Sequence, residues 1–324
     1  MTTPKYTFLL PAFKGKYLDE MLRSIKAQTY QDFKVLISDD CSPEDLRSIC
    51  EPYLSDPRFS YRRNEENMGS KSLVSHWNLL VDMCDTEYLI MASDDDVYEP
   101  QFLAEIDALT QKYPQVDLFR GRVKIIDGDG ELLEKDMMLD EYLNQLDFIY
   151  YFLGTYTIKC LANYVFKTSA LKQKGYFYDL PLAWGSDNIT AIVLSENGIG
   201  STSNCRFSFR RSDVNISTRV NDLSTNILKT RGCYEYIKFL EKYVCELSSK
   251  VKTKLEIGQL DRIKNLLYKG FYVKKLAENS EKCSYSEMRK YYRYLDHLGY
   301  FTGKLDKIHF FWSWIRAYKT RRIR

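Results

Sequence analysis

Two short acidic runs are the residues best suited to chemistry: Asp39-Asp40-Cys41-Ser42 and Ser93-Asp94-Asp95-Asp96. Three adjacent carboxylates repel one another, and an opposite charge removes that cost. Mg2+ or Mn2+ suits such a run, because each takes one or two carboxylates plus phosphate oxygens. In the first run, a carboxylate could accept a hydrogen bond from the ring N–H of a base such as uracil. Plainer structural roles stay open for both: Asp40 as a helix cap, and residues 94–96 as a solvated acidic turn. A third segment, Pro11-Ala12-Phe13, places an aromatic residue after another apolar run.

Such residues act together only if the fold brings them together. Residues 6–10, 33–38, 59–62 and 88–92 read as short strands, with helical spacing between them (Leu18, Met21, Leu22, Ile25, then Leu73, Trp77, Leu80, Val81). Ser42-Pro43-Glu44 reads as a helix start, with Ser at the cap and Pro at the first position. Alternation of this kind predicts a mostly parallel sheet with right-handed crossovers. Ligands of such sheets bind beyond the carboxyl ends of the strands, where both acidic runs fall. Further on, 116–126 and 164–166 read as strand, 127–130 as a turn, and 142–152 as either helix or loop. A helix is expected after Ser186-Asp187, ending at Asn197-Gly198. After Asp222 the pattern is helical throughout.

Composition narrows the class. The 324 residues carry a formal net charge of +3. That near-balance hides an asymmetry, because residues 222–324 hold 23 Lys and Arg against 11 Asp and Glu, and the preceding chain is acidic. No apolar run approaches the ~18 residues of a membrane span. Residues 1–16 do not read as a signal peptide. The eight cysteines form no C-x-x-C pair and there are three histidines, which argues against a structural zinc site and for a reduced, cytoplasmic setting.

The ordered motifs resemble glycosyltransferase family 2, the inverting nucleotide-sugar-dependent enzymes with the GT-A fold. Over residues 5–221 the resemblance rests on Phe8-Leu9-Leu10-Pro11-Ala12-Phe13, Gln28-Thr29-Tyr30 with Phe33, Asp39-Asp40-Cys41-Ser42, Asn67-Met68-Gly69, His76-Trp77-Asn78 and Glu87 through Pro100. It implies an α/β fold, a mostly parallel twisted sheet flanked by helices with a helical C-terminal extension. It also implies that Pro11, Ala12, Phe13 and Asp40 hold the nucleobase, Asp94 the ribose, and Asp95 a divalent cation (Mn2+ or Mg2+) bridging the diphosphate. A register in which Asp94 and Asp96 form the metal pair is the alternative. Lys71 would contact phosphate, or be a solvent-facing helix lysine. Asp187 matches the carboxylate that removes the acceptor's proton, and its place at a helix start would keep it ionised. Departures from the pattern are Lys14 for the usual Asn, Cys41 for the usual Gly, and Ala92 where many members carry Asp. The Q-x-x-R-W motif of processive synthases does not occur.

The expected reaction is transfer of one sugar, with inversion, from a nucleotide sugar (UDP-linked first) to a carbohydrate or lipid-linked acceptor, as in cell-surface polysaccharide synthesis. A sugar nucleotidyltransferase is the alternative, disfavoured because Phe13-Lys14-Gly15-Lys16 carries a single Gly where a phosphate loop would be Gly-rich. A non-catalytic nucleotide-sugar-binding protein is another. Residues 1–221 would form the catalytic domain and 222–324 a basic helical region. Arg210 and Arg211, opening a segment through Thr218, could pair with diphosphate or with the acceptor's charge, or sit on a solvated turn. Near the end, His309 through Ile315 with Arg316, Lys319, Arg321, Arg322 and Arg324 suits peripheral contact with the inner face of a membrane, packing on the main domain, or a homodimer surface. No nucleic-acid recognition motif is present.

Overall fold

Strand β1 (Tyr6–Ala12) is buried along nearly its whole length, as a strand covered on both faces must be. The computed structural model describes residues 3–154, 156–212, 223–267, 284–297, 299–301 and 303–321. Helix α1 (Leu18–Lys26) buries Leu18, Met21, Leu22 and Ile25, a single stripe at i, i+3, i+4 and i+7. It lies over a core shared by Phe8 and Leu10 of β1, Val35 and Ile37 of β2 (Phe33–Asp39), and Tyr88 and Ile90 of β4 (Tyr88–Met91). Helix α2 (Leu46–Cys50) starts later than expected. Asp45, not Ser42, caps it by accepting from Ser48 N at 3.2 Å. Ser42 turns its hydroxyl to Phe13 O at 2.7 Å and so ties the end of β2 to that of β1.

Strand β3 (Phe59–Arg63) and helix α3 (Leu73–Asp82) precede β4. Then come β5 (Val97–Tyr98), α4 (Phe102–Lys112), β6 (Leu118–Ile126), β7 (Leu132–Lys135), β8 (Tyr142–Leu143), α5 (Gln145–Leu153), β9 (Tyr164–Lys167), α6 (Thr168–Gln173), α7 (Ser186–Leu194) and β10 (Ile199–Arg210). Residues 145–153 are therefore helix, not loop. The sheet order is β3-β2-β1-β4-β9-β6-β10-β5, with β7 on β6 and β8 on β10. Parallel pairing holds across β3-β2-β1-β4. Beyond β4 the sheet is mixed: β9 runs antiparallel to β4 and β6, and β10 runs parallel to β6. Ala12 pairs with Asp39, and Leu9 with Met91, so the chain leaves β1, β2 and β4 at one edge.

The chain divides into two compact units, one of residues 1–179 and 186–212, the other of 180–185 and 213–324. In the second unit, α8 (Leu223–Ser248) approaches the 181–184 turn closely at Gly232, where a Cβ would lie 2.9 Å from Pro181 O. Helix α9 (Lys254–Leu266) opens with a capping box between Thr253 and Glu256. Helices α10 (Tyr285–His297) and α11 (Lys304–Arg321) bury Met288, Tyr291, Leu295, Phe310 and Trp314 in a separate core. Residues 213–218 of the arginine-led segment, the 221/222 boundary, Arg322 and Arg324 lie outside the described residues. Among the described residues no helix is long and apolar enough to cross a membrane.

Candidate active site at the carboxyl edge of the sheet

The acidic residues gather where β1, β2 and β4 end. Asp40 N donates to Ala12 O at 2.9 Å, which joins the first acidic run to the end of β1. The Asp40 carboxylate is nearly enclosed and accepts three hydrogen bonds: Asn64 Nδ2 (2.8 Å) and Met68 N (2.9 Å) on Oδ1, and Gly69 N (2.7 Å) on Oδ2. These bonds fold the 64–69 loop around it. Gly69 is required by the approach, because a Cβ there would stand 2.9 Å from Asp40 Oδ2. His76 is buried beneath, with Nε2 3.0 Å from Ser38 Oγ and 3.2 Å from Asn64 Nδ2. Burial holds its pKa below the ordinary value, against the pull of Asp40, so the ring is neutral and Nε2 accepts. Asp39 faces the other way, to Ser42 N at 2.8 Å, Tyr61 Oη at 2.6 Å and the Arg63 guanidinium.

The turn after β4 is organised by charge. Asp94 Oδ2 accepts from the backbone N–H groups of Phe13 and Lys14, each at 2.8 Å. The Lys14 ammonium then reaches Asp94 Oδ1 at 3.0 Å and Asp95 Oδ2 at 2.6 Å. Ser93 Oγ donates to Asp95 Oδ1 at 2.6 Å. Asp96 turns inward, accepting from Arg210 N at 2.9 Å. The structure thus pairs Asp94 with Asp95, and Asp96 does not share their cation. Burial raises the Asp94 carboxyl despite the opposing pull of Lys14, and it raises Asp96 well above the carboxylate range, with Asp95 adding to the effect. Burial disfavours the Lys14 ammonium, yet Asp94 and Asp95 more than offset it, so its pKa rises.

Arg210, expected to meet diphosphate or solvent, is instead buried and committed to the protein. Its Nε donates to Asp95 O at 3.0 Å, Nη1 to Asp127 O and Gly128 O at 3.2 Å each, and Nη2 to Glu20 at 2.6 Å. It is a strut under the turn. Arg211 is exposed, 3.9 Å from Glu134. Gln28, of the Gln-Thr-Tyr stretch, clamps the chain between β5 and α4 from beyond α1, donating to Glu99 O at 2.8 Å and accepting from Leu103 N at 3.0 Å.

Asp187 is half-buried, the second residue of α7. Its helix-start position was expected to keep the pKa low. The correction is that burial outweighs the backbone N–H groups of Asn188 and Asp187 and pushes the carboxyl up to about 6. The buried Cys160 thiol, driven well up by burial, also feels both Asp96 and Asp187. Lys71 lies in the turn before α3, exposed and 2.6 Å from Glu66. Its contacts do not join it to the acidic turn.

A divalent ion fits this donor set in one way. Asp94 Oδ1 and Asp95 Oδ2 converge on a single cation, and among the described residues no group of three or more His, Cys, Asp or Glu could enclose a metal. A Mg2+ or Mn2+ held here would draw its remaining ligands from phosphate and water, as Mg2+ commonly does. Sequence reasoning missed Asn64 as the first partner of Asp40, and it gave Lys14 only as a departure from the family pattern. A lysine directly after the first strand, with two acidic runs at neighbouring strand ends, was the available signal.

The match to known proteins agrees. The glycosyl transferase family 2 model matches residues 7–177, more than half the chain, and the chain belongs to that family. It is similar to the glycosyltransferase GlyG of Streptococcus pneumoniae serotype 4, 26% identical over 103 residues, covering 32% of this chain and 33% of GlyG. It is also similar to the poly(ribitol-phosphate) beta-N-acetylglucosaminyltransferase TarS of Staphylococcus aureus, 23% identical over 129 residues, 39% of this chain and 22% of TarS. The aligned stretches therefore span only about a third and about a fifth of those relatives. Among solved structures, TarS 1–349 in complex with UDP-GlcNAc superposes with a TM-score of 0.57 at 16% identity, covering 98% of this chain and 91% of that one. The mannosyltransferase PcManGT of Pyrobaculum calidifontis, in complex with GDP-Man and Mn2+, gives 0.54 at 13% identity, covering 99% and 88%. The fold is GT-A.

Proposed function

We propose that this protein is an inverting, metal-dependent glycosyltransferase. It moves one sugar from a nucleotide sugar, UDP-linked first, to a carbohydrate or lipid-linked acceptor, as in cell-surface polysaccharide synthesis. The observation that carries the reading is the convergence of Asp94 Oδ1 and Asp95 Oδ2 at the end of β4, across the end of β1 from an enclosed Asp40, inside the family match. The UDP-GlcNAc bound to TarS and the GDP-Man and Mn2+ bound to PcManGT support a nucleotide-sugar donor and a divalent ion.

Pro11, Ala12 and Phe13 form one wall of the base site, and Asp40 shapes the other by fixing the 64–69 loop. Asp94 would face the ribose, and Asp95 with Asp94 would hold the cation. A bound divalent ion supplies positive charge to the departing diphosphate. Asp187 takes the proton of the acceptor hydroxyl as its oxygen attacks the anomeric carbon. The new C–O bond forms on one face while the bond to phosphate breaks on the other, its electron pair leaving with the nucleoside diphosphate. A carboxylate with a pKa near 6 suits that work, basic enough to accept a proton and still ionised at neutral pH.

Residues 1–221 act as the catalytic domain and 222–324 as a basic helical region. On α11, Leu305, Ile308 and Trp312 are exposed at i, i+3 and i+7. Beside the basic residues of this region they suit peripheral contact with an anionic membrane face or a second copy of the chain, for a protein working in the cytoplasm. The test is transfer or hydrolysis with a panel of UDP- and GDP-sugars, with and without Mn2+. Loss of turnover in Asp95→Ala and in Asp187→Asn is expected. Full transfer by both variants would overturn the roles.

A further inference from the structure

The Lys14 side chain has an unusual position. Its ammonium contacts one oxygen of each of two adjacent carboxylates, at 3.0 and 2.6 Å. Both carboxylate side chains are 4% exposed, whereas the Lys14 side chain is 20% exposed. The other oxygens are spoken for: Asp94 Oδ2 by two backbone N–H groups, and Asp95 Oδ1 by Ser93. Asp94 Oδ1 and Asp95 Oδ2 both contact one cation, and that cation is part of the chain.

We propose that Lys14 is a displaceable internal counter-charge of the Asp94–Asp95 pair, so that a divalent cation enters only by dislodging it and does so together with the nucleoside diphosphate. This rests on the reading of the site as a nucleotide-sugar and metal site. With Lys14 in place, the three side chains, taken as ionised, sum to one negative charge. A divalent ion among the same oxygens would stand a few ångströms from an ammonium, in surroundings less screening than water, and the repulsion there is large. Something must move. The carboxylates are held by their other oxygens and the Lys14 backbone by its N–H to Asp94. Of the three side chains, that of Lys14 is the most exposed. A diphosphate supplies what the ammonium loses, since its oxygens accept from an amine and ligate a metal at once. Metal and nucleotide therefore assist each other, and the assistance is reciprocal. A neutral residue at position 14 would remove the competition, and with it part of the coupling.

The experiment is Mn2+ titration of the full chain, followed by the electron paramagnetic resonance of free Mn2+, with and without UDP. The proteins are the wild type, Lys14→Met, Lys14→Arg and Asp95→Asn. In the absence of nucleotide, Lys14→Met is expected to bind Mn2+ at least tenfold more tightly than the wild type, and Lys14→Arg to stay near the wild type. UDP is expected to tighten Mn2+ binding in the wild type by a clearly larger factor than in Lys14→Met. Mn2+ should also raise the melting temperature of Lys14→Met more than that of the wild type, a readout that reports folding as well as binding. Equal Mn2+ affinity of the wild type and Lys14→Met, with UDP tightening both by the same factor, would overturn the role of Lys14 and leave the metal site standing. Mn2+ binding that Asp95→Asn does not weaken, or no Mn2+ binding by any of the proteins even with UDP, would overturn the site and the role of Lys14 with it.

Discussion

Two acidic centres lie at the ends of β2 and β4, on either side of β1, and the protein balances them by opposite means. Around Asp40 the partners are neutral: an amide side chain, two backbone N–H groups and an uncharged imidazole nearby. Around Asp94 and Asp95 a lysine supplies a formal charge, with an arginine strut behind the turn. Neutral donors in fixed geometry make a permanent fixture, since any ligand that displaced them would leave several buried groups unpaired. A flexible ammonium is exchangeable, since another cation can take its place. Asp40 is thus built to hold a loop still, and Asp94–Asp95 to trade partners. Asp187 is a third kind, a carboxyl pushed up chiefly by burial.

The largest effect is expected where charge is exchanged. Asp95→Ala should lower transfer by about a hundredfold or more, comparable to losing a main electrostatic contact in a transition state. Asp40→Ala in the same assay should weaken nucleotide binding more than it lowers kcat. Equal kcat losses at the two positions would erase the contrast between fixture and exchange site.

Asp187→Asn should cost about 10²–10⁴-fold in rate, the usual span for a general base. Its raised pKa gives it a pH signature of its own. Activity of the wild type should rise through about pH 6 as the carboxyl ionises. For stability the sign is reversed. The folded pKa lies above the unfolded one, so ionisation disfavours the fold. No such penalty exists below about pH 4. It builds from there to about pH 6 and is full above that, on the order of 1–3 kcal/mol. Denaturant titrations of Asp187→Asn should therefore show a gain over the wild type at pH 8 that is absent at pH 3.5. A gain at both pH values would assign it to packing instead.

A smaller loss is expected from the fixture. Gly69→Ala puts a methyl group 2.9 Å from Asp40 Oδ2, against a carboxylate held by two other donors. The loop must shift, at about 1–3 kcal/mol in stability. Nucleotide affinity should fall with it while Mn2+ binding in its absence stays unchanged. A parallel loss of Mn2+ affinity would mean that the two centres are one.

Much of this was legible in the chain. The acids at strand ends, the apolar stripe of α1 and the turn residues are local signals, and local signals survive in a sequence. Partnerships across the sheet do not. Arg210 meets the carbonyl of Asp95 only because the sheet brings distant segments together, and nothing near Arg210 in sequence announces it; Lys14 left a signal in its place after the first strand, but not the identity of its two partners. Strand β10 went unread because its polar residues, Ser203 and Asn204 among them, interrupt the apolar alternation where its register on β6 shifts. The pKa of Asp187 was misjudged because a helix start is visible in sequence and burial is not. The reading of Ser42 as the cap failed because the helix itself starts only at Leu46: Ser42 accepts from Glu44 N at 3.1 Å in a local turn while it donates to Phe13 O, and Asp45 caps the helix.

The smallest expected effect separates strain from function within the first acidic run. Cys41 holds a φ of 54°, the left-handed region that favours glycine. Its position after Asp40 is where the chain must leave β2 and turn, while Asp39 Oδ1 caps Ser42 N from the other side. A side chain with a Cβ pays about 1–2 kcal/mol for that conformation. Cys41→Gly relieves it, but glycine also gains freedom in the unfolded chain, so the net gain should be under about 1 kcal/mol. Denaturant midpoints at pH 7 measure it. If the strain only shapes the turn, nucleotide and Mn2+ affinities should not change. A loss of nucleotide affinity alongside the gain in stability would instead mean that the strained cysteine itself presents Asp40, and that the neutral centre is less of a fixture than its hydrogen bonds imply.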